Sequence, residues 1–204
     1  MARLGILGGT FNPLHIGHLV CAQEAGVQLG LDRVVLMPVA TPPHKEAAAD
    51  PGAEHRVEMC RLATAKDERL GVSDFELRRS GPSYTVDTLR AIHADGRGDE
   101  LTFIVGGDMA SSFPRWREPE AILELAELAV AERAGSARDE IARVLGTLPH
   151  GDRVRFIEMP RIDISSSEIR RRVHDDVPIR YLVPDEVVAY IGSRSLYRGP
   201  EAVT

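Results

Sequence analysis

Two histidines three positions apart close the string GGTFNPLHIGH, residues 8–18, and that spacing is the first chemical signal in the chain. On a helical turn, side chains at i and i+3 share a face, so His15 and His18 can reach one ligand. Ahead of them, Gly8 and Gly9 carry no Cβ and let a ligand come close to the backbone. Pro13 stops the preceding strand, and a helix from about Gly17 points its free N–H groups back at the turn. Such a helix start favours an anion. A dinucleotide-binding turn would read G-x-G-x-x-G with an acidic residue ending the next strand. Here the glycines run Gly5-x-x-Gly8-Gly9 and the second strand ends MPVATPP, so that reading fails. A zinc site of His15, His18 and Cys21 fails too, because Cys21 drifts off the shared face and no fourth ligand follows.

A second signal lies far downstream in IDISSSEIRRR. Ser165 and Glu168 have the spacing of a capping box, which starts a helix at Ser166. Capping does not account for Ser166 and Ser167 as further hydroxyls, nor for Arg170 one turn later. Hydroxyls and free N–H groups with a guanidinium behind them make a phosphate seat. In LTFIVGGDMASSFPRWREPE, Asp108 follows Gly106 and Gly107 at a strand end, where it can accept sugar hydroxyls. Trp116, the single tryptophan, stands between Arg115 and Arg117 in a polar loop and offers a face for a planar ring. In SGPSYTVDTL, Thr85 is read as the cap of the next helix, whose amides face an anion.

These groups need a scaffold. Strand-length apolar runs occur at Arg3–Gly8, Val34–Val39, Gly71–Leu77, Leu101–Gly106, Ala129–Glu132 and Val154–Met159. Helical segments separate or follow them at Gly17–Leu29, Ala53–Ala65, Val86–Ala94, Glu118–Leu128, Asp139–Leu148, Ser166–Asp175 and Pro184–Ser193. Near-continuous apolar strands alternating with helices predict a parallel sheet covered on both faces, an α/β sandwich. In such doubly wound folds the site lies beyond the carboxyl ends of the strands, where the glycine turn falls.

The string GGTFNPLHIGH resembles the signature of the nucleotidyltransferase superfamily marked by a His-x-Gly-His element, here His15-Ile16-Gly17-His18. Within it the chain is similar to bacterial nicotinate-nucleotide adenylyltransferases, from Leu4 to about Tyr197. The resemblance implies a Rossmann-like doubly wound sheet in a single domain, residues 1–204, with a small helical part over about 161–204. It implies adenylyl transfer from ATP to nicotinate mononucleotide, with magnesium bridging the phosphates. Gly8, Gly9, Thr10, Phe11, His15, His18, Gly106, Asp108, Ser165, Ser166, Ser167 and Arg170 are then the ATP side. His18 is expected to contact the α-phosphate with help from His15. Lys45, in TPPHK, and Arg170 match residues that meet the ATP phosphates. Tyr84, Thr85, Trp116, Arg117 and Lys45 form the mononucleotide side: the pyridine ring stacks on Trp116, and amides around Thr85 receive the carboxylate. Nicotinamide mononucleotide, phosphopantetheine and a nucleotide sensor without turnover are the competing readings.

The chain has 204 residues, with 31 acidic against 25 basic side chains and a formal charge of −6. The acidic balance counts against nucleic acid as a partner. No apolar stretch approaches membrane-spanning length, and two cysteines, Cys21 and Cys60, fit a reducing cytoplasm. A homo-oligomer is left open, and no carboxylate cluster demands a protein-only metal cage.

Overall fold

A computed structural model describes residues 1–40, 49–79, 81–95, 99–133 and 138–199. Six strands form one parallel sheet: β1 (Arg3–Gly9), β2 (Arg33–Pro38), β3 (Leu70–Val72), β4 (Glu100–Gly106), β5 (Glu127–Arg133) and β6 (Val154–Met159). Their order is β3-β2-β1-β4-β5-β6. The chain runs outward from β1 through β2 to β3, then crosses back to lay β4 on the other side of β1. The order therefore reverses between β1 and β4, where a crevice opens outside the carboxyl ends.

Eight α-helices connect and follow the strands in the described residues: α1 (Ile16–Leu29), α2 (Ala53–Thr64), α3 (Thr85–Ala94), α4 (Gly107–Ser112), α5 (Pro119–Leu125), α6 (Arg138–Leu145), α7 (Ser166–His174) and α8 (Asp185–Ser193). Alternate strand residues face opposite sides. Ile6, Leu101, Phe103, Val105, Leu128 and Val130 join Val86, Leu89, Ile122 and Leu145 in one apolar layer. Leu7, Val34, Leu36, Ile104 and Ala129 join Cys21, Ala22, Ala25 and Cys60 in the other. A third cluster packs Ile169 and Val173 of α7 and Val187 and Ile191 of α8 on Met59 of α2. The doubly wound parallel sheet expected from the sequence is thus the observed architecture.

The main differences are two boundaries and one added helix. The strand expected over Gly71–Leu77 ends at Val72, and Phe75–Arg78 form a 3₁₀ turn. Ser73 Oγ accepts the Phe75 N–H at 3.2 Å and bends the chain there. The helix expected over Glu118–Leu128 stops at Leu125, and β5 begins at Glu127. Apolar residues continue on both sides of Glu124 and Glu127 with no turn residue between, so pairing with β4 (Thr102 opposite Glu127) decides the change. Finally, α4 was not foreseen: Gly, Asp and two Ser are poor helix formers, and burial of Ala110 favours the helical turn.

Candidate active site

The glycine turn connects β1 to α1, and His15 is the N-cap of α1. The His15 and His18 rings stack with centroids 3.7 Å apart at 28°. The backbone N–H of His15 donates to His18 Nδ1 at 3.1 Å, and the Phe11 ring meets His18 edge-on at 5.0 Å. Burial, reinforced by the charge of His15, lowers the His18 pKa from 6.5 to about 3. His18 is therefore neutral near pH 7, and with Nδ1 accepting, its ring proton sits on Nε2. A Cβ on Gly9 would lie 2.9 Å from the Phe11 ring, and one on Gly17 would lie 3.1 Å from the His15 ring. A side chain at Gly9 would displace the Phe11 ring, and one at Gly17 would crowd the His15 ring.

The start of α7 is bolted to this turn. Ser166 Oγ donates to the Pro13 carbonyl at 2.8 Å, and Arg170 Nη1 donates to the Asn12 carbonyl at 2.9 Å. Tyr197 OH donates to Asn12 Oδ1 at 2.8 Å, and the Ile16 N–H to the Leu182 carbonyl at 3.0 Å. Histidine pair and hydroxyl-rich helix start, 150 residues apart in sequence, thus form one structure. Ser165 caps α7 by accepting the Glu168 N–H at 3.2 Å. The reciprocal half of the expected capping box is replaced, because the Glu168 carboxylate pairs with Arg171 at 2.7 Å. Arg170 is buried, with Nη2 donating to Ser167 Oγ at 3.2 Å and Nε lacking a hydrogen-bond partner among the described residues. One role of Arg170 is therefore internal, holding the turn.

Gly106 is the N-cap of α4, which places exposed Asp108 in its first turn, at the carboxyl end of β4 beside β1. Beyond it, Trp116 is more than a loop aromatic. Its ring packs 5.3 Å from Phe113 and 6.1 Å from Phe103, and Nε1 donates to Ser112 Oγ at 3.1 Å. Phe103 in turn would lie 2.9 Å from a Cβ on Gly8, so one ring underlies both the glycine turn and Trp116. The cap of α3 is Tyr84 rather than Thr85, which is the first helical residue, and no side chain caps the helix. The first amides of α3 accordingly lack intrahelical acceptors. The Arg117 guanidinium lies 4.7 Å over the Tyr84 ring and pairs with Asp87 at 3.4 Å and Glu118 at 3.7 Å. It shares both carboxylates with Arg90, and Asp87 with Arg79 as well. Lys45 lies outside the described residues.

Sequence reasoning missed Arg56. It is fully buried on α2 and donates to the carbonyls of Thr10 and Val39, each at 2.8 Å, and of Ala40 at 3.3 Å. Its Nε pairs with Asp50 Oδ1 at 3.0 Å. Within an amphipathic helix an arginine reads as surface, so no local signal marks it.

The cytidylyltransferase-like family profile matches residues 6–172. The chain belongs to that family. Within it, the chain is 46% identical over 199 residues to a probable nicotinate-nucleotide adenylyltransferase of Roseiflexus sp. (strain RS-1), covering 97% of this chain and 98% of that protein. A protein of the same name from Symbiobacterium thermophilum is 42% identical over 199 residues, covering 97% and 96% of the two chains. The solved structure of Plasmodium falciparum nicotinic acid mononucleotide adenylyltransferase complexed with NaAD shares the fold, with a TM-score of 0.79. It covers 97% of this chain and 98% of that one, at 19% identity. Among the described residues, no helix is long and apolar enough to cross a membrane.

Proposed function

We propose that the chain, acting as one catalytic unit, transfers the adenylyl group of ATP to nicotinate mononucleotide. The products are nicotinate adenine dinucleotide and pyrophosphate. The observation that carries this reading is the union of the stacked His15–His18 pair with the α7 start through the Ser166–Pro13 and Arg170–Asn12 bonds. The curated relatives, matched almost end to end, bear the corresponding name.

The attacking group is a phosphate monoester, largely dianionic at pH 7, so no general base is required. Its oxygen bonds to the α-phosphorus while the bond to the β-phosphate bridging oxygen breaks, and pyrophosphate leaves with that electron pair. Rate comes from positioning and from stabilising spread charge. A neutral His18 with its proton on Nε2 donates to the α-phosphate, assisted by His15 and the amides of Gly9 and Thr10. Ser166, Ser167, Arg170 and Lys45 balance the β- and γ-phosphates, and Asp108 accepts from adenosine hydroxyls. Trp116 stacks on the pyridine ring, and the open amides around Thr85 receive the carboxylate.

Magnesium would arrive on the triphosphate and neutralise part of its charge. Among the described residues no three His, Cys, Asp or Glu side chains converge on a metal site, which suits an ion held through substrate phosphates and water. Two buried free thiols, Cys21 and Cys60, support a reducing, cytoplasmic setting.

Pyrophosphate release, measured with ATP and each of nicotinate mononucleotide, nicotinamide mononucleotide and phosphopantetheine, tests the reading. Release is expected fastest with nicotinate mononucleotide. Release with none of the three would overturn the reaction in favour of a binding module.

A further inference from the structure

The anion-facing turn is held from behind by a residue that touches neither solvent nor the substrate side. Arg56 spends Nη1 on the carbonyls of Thr10 and Val39, Nη2 on Ala40 and Nε on Asp50. Thr10 opens the turn after β1. Val39 and Ala40 follow β2, and Ala40 directly precedes the segment 41–48 that includes Lys45. An apolar side chain of similar volume would fill the space without taking a cation out of water. Only a planar fork of five donors can hold three carbonyls from two loops at once.

That grip has a consequence for the amides. In a trans peptide the C=O and N–H point in opposite directions. Fixing the Thr10 carbonyl toward Arg56 therefore turns the Phe11 N–H to the opposite side, with Phe11 at a φ of 50°. The Gly9 carbonyl is likewise occupied, by the Val39 N–H at 3.0 Å, which sets the Thr10 N–H. Successive oriented N–H groups of this kind make an anion-binding concavity. Arg170 and Ser166 hold the next carbonyls, of Asn12 and Pro13, from α7.

We infer that Arg56 is a positioning residue for the transfer: it locks the Thr10–Phe11 peptide and the end of β2 in one register, so that the amides meet the ATP phosphates in reacting geometry. The inference rests on the reading of this turn as the phosphate seat. Arg56 itself contacts no substrate, and its effect falls on kcat through small displacements of the turn.

The test compares R56K, which keeps the charge but cannot span three carbonyls, with R56A supplied with guanidinium. Backbone amide resonances are recorded with and without pyrophosphate, alongside steady-state kinetics and Tm. In folded R56K, kcat should fall by about 10²-fold while KM for the mononucleotide stays within about threefold. The Thr10 and Phe11 resonances should move, and their response to pyrophosphate should weaken. Guanidinium should raise kcat of R56A by about tenfold or more; if R56A does not fold, R56K carries the test. A staple between α2 and the sheet would lower Tm and leave kcat of the folded protein within about threefold of wild type, and that result overturns the inference. Unmoved Thr10 and Phe11 resonances overturn it as well. An inactive wild type refutes the proposed reaction instead, and the pyrophosphate-dependent resonances then decide on Arg56 by themselves.

Discussion

The His15 N–H and His18 Nδ1, 3.1 Å apart, fix which nitrogen of the second histidine carries its proton. This one bond converts a shared helical face into a defined donor. Replacing His18 with Ala should lower kcat by about 10²–10³-fold, the scale of losing one transition-state donor. Circular dichroism should be unchanged.

The same residue sets a pH dependence. Free histidine titrates near 6.5, but His18 in the fold is held near 3. Between those values the unfolded chain binds a proton that the folded chain refuses. The contribution of His18 to stability is therefore complete above about pH 6.5 and is lost as pH falls toward 3, by at most about 1.4 kcal/mol per pH unit. Urea unfolding from pH 7 to 4 should show a shallower acid loss in H18N than in wild type. The acid limb of kcat/KM should instead follow the mononucleotide phosphate, with a second pKa near 6.

Arg170 and Lys45 separate two ways of serving ATP. R170A removes the donor to the Asn12 carbonyl and leaves a buried acceptor, so it should cost about 1–3 kcal/mol of stability as well as weakening ATP binding. K45A should raise KM for ATP with Tm unchanged. Calorimetry with each substrate alone should find mononucleotide affinity intact in R170A, and the assignment of Arg170 fails if the mononucleotide is the ligand that weakens.

Acceptor choice should rest on the open amides of α3, since Arg117 is already paired with Asp87 and Glu118. Amides set for a carboxylate face the NH₂ of the amide substrate with mismatched donors, at about 1–3 kcal/mol each. Nicotinate mononucleotide should therefore win by at least about tenfold in kcat/KM. R117A should change that ratio by less than about threefold. Equal kcat/KM for the two acceptors would defeat the selectivity while leaving adenylyl transfer standing.

Trp116 has both a core side and a candidate stacking side. W116A should raise KM for both mononucleotides by roughly two- to tenfold, the range of one aromatic contact, and spare KM for ATP. It should also lower Tm, because Phe103 and Phe113 lose a packing partner. W116F should recover much of both.

Motifs and periodicity carried the architecture a long way. The glycine turn, the histidine pair and the serine-rich helix start could each be read locally, because backbone freedom, i,i+3 spacing and capping are local properties. The boundary at Ala126 could not, since AILELAELAV, apolar but for Glu124 and Glu127, holds no turn residue and pairing with β4 decides where helix becomes strand. Nor could Arg56 or the inward duty of Arg170, because their partners are carbonyls, and any residue type supplies a carbonyl. Nor could the pairing of Arg117 with Asp87 and Glu118, since Asp87 lies on a different element.

The donors that complete the β1–α1 turn stand 153, 158 and 185 residues downstream of it, at Ser166, Arg170 and Tyr197. A ribosome makes the turn some 150 or more peptide bonds before it makes these clamps. Nascent chains can lay down sheet strands in order, domain by domain as synthesis proceeds. The phosphate seat cannot take its final shape until Tyr197 has emerged. Partly made chains therefore carry the histidine pair without the full set of clamps that shapes the turn.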